Sequence, residues 1–509
     1  MPDIVTLHAT ASPDKPALIC GDEILTYRGY DVRSNRAARA LAEIGVGPGA
    51  RVAVMAHNSV AGFEVSTALR KCQAVGVPVN FRLRSEELAY IVDDSGARVV
   101  CAGPEFVEHV EAARALAQGE PAYATIGGAP APAGWVGLDE LSARQTPDPP
   151  PTASDELGGA MIYTSGTTGH PKGAFRAPGV GADAVMQLIQ AFGLRNDDVH
   201  LEAGPGYHSA VGFFNGLTIL CGGTVVIMPR FDPEQALALI ERHRVTTTFM
   251  APTLLHRIMD LPADVRARYD VSSMRGLILG AAPCPFSLKE RASAYFGEVL
   301  YEFYGATETG VNLLLRPEDQ LRRPGSAGRL LEGNEILLLD DDGHAVPDGQ
   351  PGEVWVRNNW LATYYNRPDA TNRAMRDGFF SVGDVAYRDA DGYYYICDRK
   401  IDMIISGGVN IYPAEVEACL HAHPAVRDVA VVGVPDDDWG EAVKAVVSLH
   451  PHADASDGEL IEWCRGRIAD YKRPRSVDFV EGELPRDQAG KLLKRTIRAP
   501  YWAGAGRSV

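Results

Sequence analysis

The sequence predicts an α/β fold in which a large N-terminal domain of two mostly parallel sheets with helices precedes a small α+β C-terminal domain. Three observations support this prediction. Short apolar segments alternate with helical patterns up to about residue 300, which is typical of βαβ units and parallel sheets. Short strands separated by Asp/Gly turns follow between residues 320 and 397, and indicate an antiparallel, β-barrel-like subdomain. A new α+β pattern begins near residue 400.

The first third of the chain carries strong local signals. Periodicity predicts a helix over 34–44 and buried strands over 51–56, 74–79 and 97–101. Ser85 is predicted as the N-cap of a further helix, because two acidic residues follow it in the first turn. A polar, Pro-rich connector then spans residues 145–156.

The rest of the chain repeats the alternation. Asp232 and Pro233 predict a helix start, with the helix running to about residue 242. The predicted strands of the middle part are 224–228, 245–250 and 276–280. The predicted C-terminal elements are helix 413–421, strands 428–434 and 441–449, and helix 456–471. We therefore expect a domain division into residues 1–398 and 399–509.

Composition excludes several functional classes. The 509 residues are 46% hydrophobic and 23% charged, as in ordinary globular proteins. A formal net charge of −17 disfavours nucleic acid and anionic membranes as partners. The N-terminus lacks signal-peptide features, and no apolar run approaches the ~18 residues of a membrane span. The eight cysteines form no Cys-x-x-Cys pair, so we expect reduced thiols and a cytoplasmic protein. A homodimer is left open.

The segment 163–173, YTSGTTGHPKG, is the strongest functional signal and directly follows an apolar stretch. A strand that ends in such a loop presents backbone N–H groups, hydroxyls and one ammonium, which suit an anionic polyphosphate. It is not a Walker P-loop, because Lys172 is followed by Gly173 and the glycine spacing differs. A surface turn rich in small polar residues is the alternative for this segment taken alone.

Three further motifs are weaker when taken singly. The segment 301–310, YEFYGATETG, places an aromatic residue, Thr and Glu in one turn, a combination that can stack a purine and ligate a hard cation. Asp384 and Arg399 are suited to ribose hydroxyls and a phosphate. The segment 484–494 contains a Gly-Lys turn. Each of these motifs alone also fits a solvated turn, a surface ion pair or an exposed loop.

Together, and in this order, the motifs resemble the adenylate-forming superfamily. They read YTSGTTGxPKG, YGxTE, GD, DRxxDxIxxGGxNIxPxExE and PRxxxGK, and the resemblance covers nearly the whole chain. The superfamily contains acyl-CoA synthetases, nonribosomal adenylation domains and firefly luciferase, and the greatest similarity is to the acyl-CoA synthetases. The resemblance implies an acid–thiol ligase that uses ATP, Mg²⁺ and coenzyme A. Such an enzyme forms an acyl-adenylate with release of pyrophosphate, then a thioester with release of AMP.

The resemblance also implies roles for matching residues. Lys491 would bridge the substrate carboxylate and the α-phosphate, Glu308 would hold Mg²⁺, and His208 would gate the carboxylate. The implied nucleotide set is Thr164, Ser165, Gly166, Thr167, Thr168, Gly169 and Lys172 at the β- and γ-phosphates, Gly280, Ala281, Ala282, Tyr304 and Gly305 at the adenine, Thr307 at the α-phosphate, and Asp384 and Arg399 at the ribose. The implied coenzyme A face carries Gly407 and Gly408. Trp439 is a candidate for stacking on the coenzyme A adenine, with an aromatic residue at the rim as the alternative. Arg82, Lys472, Arg473 and Arg475 are candidate contacts of the coenzyme A phosphates, with a solvated basic face as the alternative for each.

The acid is constrained only in class. Amino-acid-activating relatives carry an Asp in the segment matching 204–209, where this chain has Tyr207 and His208, so an amino acid is disfavoured. The expected acyl wall is uncharged, which favours a hydrophobic fatty, aryl, steroid or terpenoid acid. Its members are Tyr207, Phe213, Phe214, Met250, Ala251, Gly310 and Val311.

One departure from the superfamily pattern concerns the domain hinge. The position two residues after Arg399 is usually Asp or Lys, whereas this chain has Ile401, so the pivot is expected at Lys400, Ile401 or Asp402. Three alternative functions remain open: loading of a carrier protein, a luciferase-like oxygenase, and a non-catalytic paralogue. The presence of both Lys491 and Glu308 weighs against the third.

Overall fold

The computed structural model describes residues 3–151, 158–164, 171–176, 182–407, 409–436, 438–486 and 491–503. In chain order, the first elements are α1 Ile4–Ala11, β1 Pro16–Cys20, β2 Glu23–Thr26, α2 Tyr27–Glu43, β3 Arg51–Met55, α3 Val60–Lys71, β4 Val75–Pro78, α4 Ser85–Ser95, β5 Val99–Ala102, α5 Val107–Arg114, β6 Ala122–Thr125, β7 Val136–Gly137 and α6 Leu138–Ala143.

The central elements are β8 Gly159–Thr164, β9 Lys172–Arg176, α7 Ala182–Ala191, β10 Val199–Glu202, α8 Ser209–Cys221, β11 Thr224–Ile227, α9 Pro233–His243, β12 Thr247–Met250, α10 Pro252–Met259, α11 Ala263–Arg266, β13 Gly276–Leu279, α12 Phe286–Phe296, β14 Leu300–Ala306, β15 Gly310–Leu315, β16 Gly328–Leu330, β17 Glu335–Leu339, β18 Gly352–Arg357, β19 Thr363–Tyr364, α13 Pro368–Ala374, β20 Met375–Arg376, β21 Phe379–Phe380, β22 Asp384–Arg388 and β23 Tyr393–Arg399. The last elements are β24 Ile404–Ser406, β25 Val409–Ile411, α14 Pro413–His421, β26 Val426–Asp436, β27 Gly440–Leu449, α15 Asp457–Trp463, β28 Ser476–Phe479 and α16 Lys494–Trp502.

The large N-terminal domain is built on two sheets. A 15-stranded sheet has the order β2-β1-β11-β10-β12-β13-β14-β15-β16-β23-β22-β18-β21-β20, with β17 paired to β18. Its strands from β1 to β14 are parallel, and from β15 onward they are antiparallel. An eight-stranded sheet has the order β19-β9-β8-β4-β3-β5-β6-β7. The antiparallel strands predicted between 320 and 397 therefore extend the first sheet.

The parallel strands carry continuous apolar runs because both of their faces are covered. All four residues of β11, of β12 and of β13 are buried. The carboxyl ends of such strands meet at one edge of the sheet, where ligands bind in open α/β folds. The turns that follow β10 and β13 are those of residues 204–208 and 280–285, so the candidate site lies at this edge.

The smaller C-terminal domain contains a five-stranded sheet of the order β25-β24-β27-β26, with β28 beside β27. The central residues of its core, including Ile404, Val429, Val447 and Leu460, are fully buried. In the described parts of the chain, no helix combines the length and apolarity that crossing a bilayer requires.

Some predicted boundaries are wrong. Helix α2 begins at Tyr27, because Thr26 caps it by accepting a hydrogen bond from the Gly29 N–H at 3.2 Å. The N-cap of α4 is Arg84 rather than Ser85, and the Arg84 N–H donates to Glu87 at 2.8 Å.

The helix predicted over 456–471 is also too long. It starts as expected, with Ser456 and Glu459 forming a capping box. It ends at Trp463, and Gly466 lies a few residues beyond with a positive φ of 71° that no helix accepts. A short 3₁₀ turn over Asp470–Lys472 is the remaining helical segment before β28.

Candidate active site

Glu308 lies in the turn between β14 and β15 and is 7% exposed. Its Oε1 accepts hydrogen bonds from the Thr164 hydroxyl at 3.1 Å and the Tyr364 hydroxyl at 3.0 Å. Burial and the neighbouring Glu308 raise the pKa of Tyr364, so this phenol stays a donor. Among the described residues no donor reaches Oε2 of Glu308. A carboxylate oxygen left open in this way fits Mg²⁺, which proteins commonly hold through one or two carboxylates together with substrate phosphates.

The segment predicted to bind polyphosphate is described only at its two ends. Ser165, Gly166, Thr167, Thr168 and Gly169 lie outside the described residues. Thr164, at the end of β8, contacts Glu308 as stated, and the Lys172 ammonium at the start of β9 lies 5.0 Å from the ring centroid of Tyr364. The two ends predicted to face phosphate are therefore gathered around the same pair, Glu308 and Tyr364.

Helix α4 anchors both of these ends. The Tyr163 hydroxyl donates to Asp94 at 2.8 Å, and the Tyr90 hydroxyl donates to the Pro171 carbonyl at 3.1 Å. Asp94 also pairs with Arg367 at 2.6 Å, which ties in the segment that follows β19. Hydrogen bonds to a charged carboxylate are stronger than those between neutral groups. Asp94 and Tyr90 therefore hold the two described ends of the glycine-rich segment against α4.

Asp384 and Arg399 are brought together by the antiparallel ladder of β22 and β23, in which they are direct partners. The Arg399 Nε lies 3.4 Å from Asp384 Oδ1, and the Tyr304 hydroxyl donates to Asp384 Oδ2 at 2.7 Å. Burial and Asp384 together raise the pKa of Tyr304 well above its ordinary value. Tyr304 is hydrogen-bonded to Asp384 and Arg399 is ion-paired with it, so three of the residues predicted at the adenosine part of ATP form one polar group.

The turn after β13 is shaped by close packing. A Cβ at Gly280 would lie 2.7 Å from the Phe303 ring, and Ala281 has a positive φ of 71°, which is strained for a residue with a side chain. A Cβ at Gly305 would overlap the carbonyl oxygen of Gly310 across the hairpin. Ala282 follows in the same turn. Glycine is therefore required at 280 and 305 to let the backbone come this close.

His208 is the N-cap residue of α8, at the end of a turn held by Asn58. The Asn58 amide donates to the Gly204 carbonyl at 2.8 Å, and its Oδ1 accepts from the Gly206 N–H at 2.7 Å. The next residue, Ser209, shares a hydrogen bond of 3.2 Å with the Thr307 hydroxyl. The structure thus places His208 beside the turn that carries Thr307 and Glu308.

The predicted acyl-wall residues do not all belong to one cluster. Phe213 and Phe214 lie in the core group on the α8 side of the sheet. Val311 belongs to that group too, and Tyr207 packs edge-on against Phe81 at 5.1 Å. Met250 is completely buried in a different group, beneath α9 and α10. Ala251 is the N-cap of α10.

Two residues beside this wall were missed by sequence reasoning. Trp360 packs on Phe213 with ring centroids 5.7 Å apart, and the Arg176 guanidinium lies over Trp360. A Cβ at Gly310, which has a positive φ of 69°, would meet the Trp360 Cβ at 3.1 Å. The basic residue at the end of β9 was the only signal available in the sequence, and it belongs to no quoted motif.

The segment that carries Lys491 is anchored to β26. Arg486 donates to both carboxylate oxygens of Asp428 at 2.8 Å, and pairs with Leu492 in an isolated antiparallel bridge. The Leu493 N–H also donates to the Pro485 carbonyl at 2.9 Å. Lys491 lies close enough to Asp402 to lower the pKa of that carboxyl, although burial outweighs this and raises it.

A buried ion group crosses the predicted hinge. The Lys494 ammonium on α16 lies 3.0 Å from Asp398 on β23 and 3.1 Å from Glu417 on α14. Burial alone would lower the pKa of Lys494, but the two carboxylates raise it. Between these anchored parts, the Ile401 side chain is 59% exposed.

The predicted coenzyme A residues are partly engaged within the protein. The Trp439 ring covers Gly407, and the Arg475 guanidinium lies 4.9 Å from its centroid. Lys472 pairs with Glu415 at 2.6 Å, and Arg473 with Asp470 at 3.2 Å. Gly408 lies outside the described residues. A ligand that stacks on Trp439 would therefore have to displace Arg475 or bind at the ring edge.

The fold, the buried carboxylate of Glu308 and the two described ends of the glycine-rich segment agree with an adenylate-forming enzyme. The family profile "AMP-binding enzyme" matches residues 5–366, and "AMP-binding enzyme C-terminal domain" matches residues 415–491. The chain belongs to this family, and it is an acid–thiol ligase.

Named relatives and solved structures agree with this assignment. A feruloyl-CoA synthase from Amycolatopsis is 39% identical over 97% of both chains. The long-chain-fatty-acid–CoA ligase FadD13 from Mycobacterium tuberculosis is 36% identical, again over 97% of both. The structure of the anthranilate CoA ligase AuaEII with anthranoyl-AMP superimposes with a TM-score of 0.88 at 28% identity, covering 99% of this chain and 98% of that one.

Proposed function

We propose that the protein activates a hydrophobic carboxylic acid with ATP and transfers the acyl group to coenzyme A. The position of Glu308 carries this proposal: one carboxylate oxygen accepts from Thr164 while the other is open, and its turn touches the start of α8 through Thr307 and Ser209. Relatives named for ferulate and for long-chain fatty acids support a hydrophobic acid of the fatty, aryl, steroid or terpenoid class. The proposed domain boundary lies between residues 398 and 399.

In the first half-reaction, a carboxylate oxygen of the acid forms a bond to the α-phosphorus while the bond to pyrophosphate breaks. The Lys491 ammonium bridges the acid carboxylate and the α-phosphate, and His208 gates access of the carboxylate. Thr307 donates to the α-phosphate, while Asp384 and Arg399 hold the ribose. Glu308 would hold Mg²⁺, which supplies positive charge against the phosphates.

In the second half-reaction, the sulfur of the thiol forms a bond to the acyl carbon, and the bond from that carbon to the AMP oxygen breaks. The thiol proton passes to solvent. The face that carries Gly407 and Trp439 would replace Lys491 at the site after rotation of the smaller domain about Ile401. Lys400 pairs with Asp341 at 2.7 Å, and the charges of Lys494 and Lys491 act on the Asp402 carboxyl, so we take Ile401, which lies between them, as the pivot.

A two-stage assay tests the proposal. Purified protein with ATP, Mg²⁺ and a panel of acids should release pyrophosphate, and coenzyme A should then give a thioester visible by mass spectrometry. Glu308→Gln should abolish the first stage, whereas a change of the exposed Glu290, such as Glu290→Gln, should leave both stages intact. Adenylate formation with transfer only to a carrier-protein thiol would refute the coenzyme A assignment, and light emission in place of a thioester would refute the ligase assignment.

A further inference from the structure

A guanidinium lies in a fixed orientation beside the acyl wall. Arg176 ends β9, and its Nε donates to the Trp360 carbonyl at 2.9 Å. Its Nη2 donates to the Thr307 carbonyl at 2.8 Å, and the whole group lies over the Trp360 ring, 5.6 Å from the centroid. Two of the three nitrogens are therefore held by backbone carbonyls, so the direction of the third is set by the protein.

This guanidinium has no close counter-charge. Within the described ranges Arg176 forms no ion pair, and its Nη1 donates no hydrogen bond. Burial lowers the pKa of Arg176, and the negative charge of Glu308 opposes that effect. Burying a cation costs free energy unless the cation is paired and fully hydrogen-bonded. An acceptor oxygen that reaches Nη1 would therefore be bound favourably.

The surroundings belong to the acyl wall. A Cβ at Gly310 would lie 3.1 Å from the Trp360 Cβ and 3.9 Å from Arg176 Nη2. Trp360 in turn meets Phe213 edge-on, with an interplanar angle of 85°. The Asn358 side-chain oxygen holds Trp360 in place by accepting a hydrogen bond from the Trp360 backbone N–H at 2.7 Å. The Trp360 side chain thus lies next to the guanidinium and to two predicted wall residues, Gly310 and Phe213.

We propose that Nη1 of Arg176, with the Trp360 indole, forms a subsite for an acceptor oxygen on the acyl part of the acid, away from the carboxylate that is activated. This proposal rests on the proposed function, because it assigns a substrate class to the same site. The acid is a hydrophobic, ring-bearing acid with a hydroxyl or a second carboxylate on the ring. A plain saturated fatty acid leaves the guanidinium without its partner.

Matched acids test the subsite. Wild-type protein is assayed for pyrophosphate release with cinnamate, its 3- and 4-hydroxy derivatives and its 3- and 4-carboxy derivatives. At least one oxygenated acid should exceed cinnamate in kcat/KM by about tenfold to a hundredfold, as expected for hydrogen bonds to a charged group. A preference for the carboxy acids identifies an anionic acceptor, and a preference for the hydroxy acids a neutral one.

Arg176→Met should remove that preference, so that within the variant the oxygenated acids exceed cinnamate in kcat/KM by no more than about twofold. Arg467→Met is the matched control, because Arg467 also lies over a tryptophan, 3.7 Å from the Trp463 centroid, and donates to its carbonyl at 2.7 Å. The control should keep the wild-type preference.

Two results would overturn the subsite. One is an equal kcat/KM of the wild-type protein for all five acids, a result that does not depend on whether any variant folds. The other is an equal loss for every acid in Arg176→Met together with a raised KM for ATP, which would show that Arg176 only holds the Thr307 carbonyl. Absence of pyrophosphate release with every acid, fatty acids included, would instead refute the proposed function itself.

Discussion

Glu202, the last residue of β10, should make the protein less stable as pH rises. Its side chain is 2% exposed, and one oxygen accepts a hydrogen bond from Asn215 at 2.8 Å. The other oxygen has no partner among the described residues. Burial raises the pKa of Glu202 to about 8 from an ordinary value of 4.5, although the Asn215 hydrogen bond opposes this. The carboxyl is therefore neutral in the folded protein at pH 7.

The sign and size of the effect follow from proton linkage. The unfolded chain releases the proton near pH 4.5 and the folded protein near pH 8. The free energy of unfolding is thus highest below about pH 4.5 and falls by roughly 1.4 kcal/mol per pH unit until the folded group ionises. Between pH 5 and 8 the loss amounts to about 4 kcal/mol.

Glu202→Gln keeps the shape and the Asn215 contact but cannot ionise. Thermal unfolding of wild type and variant is followed from about pH 5 to 9, and the variant should gain on the wild type with each pH unit up to 8. Other titrating groups are common to both proteins and cancel in the difference. The exposed Glu290→Gln serves as control and should run parallel to the wild type. Parallel curves for Glu202→Gln would refute the reasoning.

Three further predictions concern the site and the hinge, and a fourth concerns the pH dependence of stability. Lys491→Ala should abolish pyrophosphate release while thioester formation from a supplied acyl-adenylate largely survives; equal loss in both assays would contradict the assignment. Ile401→Pro should slow thioester formation more than adenylation, and an unchanged ratio of the two rates would reject Ile401 as the pivot. Tyr163→Phe, which removes the donor to Asp94, should raise the KM for ATP about tenfold in steady-state kinetics without changing that for the acid. Burial lowers the pKa of His200 to about 4, so stability should fall by about 3 kcal/mol as pH drops from 6.5 to 4, and His200→Asn should flatten this decline in urea unfolding.

Sequence reasoning succeeded where the residue types are dictated by local rules. Asp232 and Pro233 start α9 as predicted, since a capping carboxylate and a first-turn proline act within a few residues. Asp384 and Arg399 were predicted together as nucleotide contacts, and they are direct partners across one ladder. The order of the motifs was likewise enough to predict the family, which the family profiles confirm.

The missed features depend on contacts between distant segments. Arg176 and Trp360 are far apart in sequence and belong to no motif, and only the sheet pairing of β9 with β19 brings them together. Asp94 supports Tyr163 from a helix whose own pattern predicts nothing about phosphate. The pairing of Arg475 with Trp439 was likewise invisible, because periodicity describes which face a residue occupies and not which neighbour it meets.

The two hydrogen bonds from Arg486 to the Asp428 carboxylate have a consequence for the timing of catalysis. Because Arg486 is bonded to Asp428 and Leu492 bridges to Arg486, we expect the lysine to move with the smaller domain. Under the proposed mechanism, the ammonium therefore leaves the phosphates in the same movement that brings Gly407 toward the thiol. The smaller domain then moves as one body, so Lys491 must leave the site before the face with Gly407 can enter it. A thiol that arrives before this movement therefore cannot reach the adenylate.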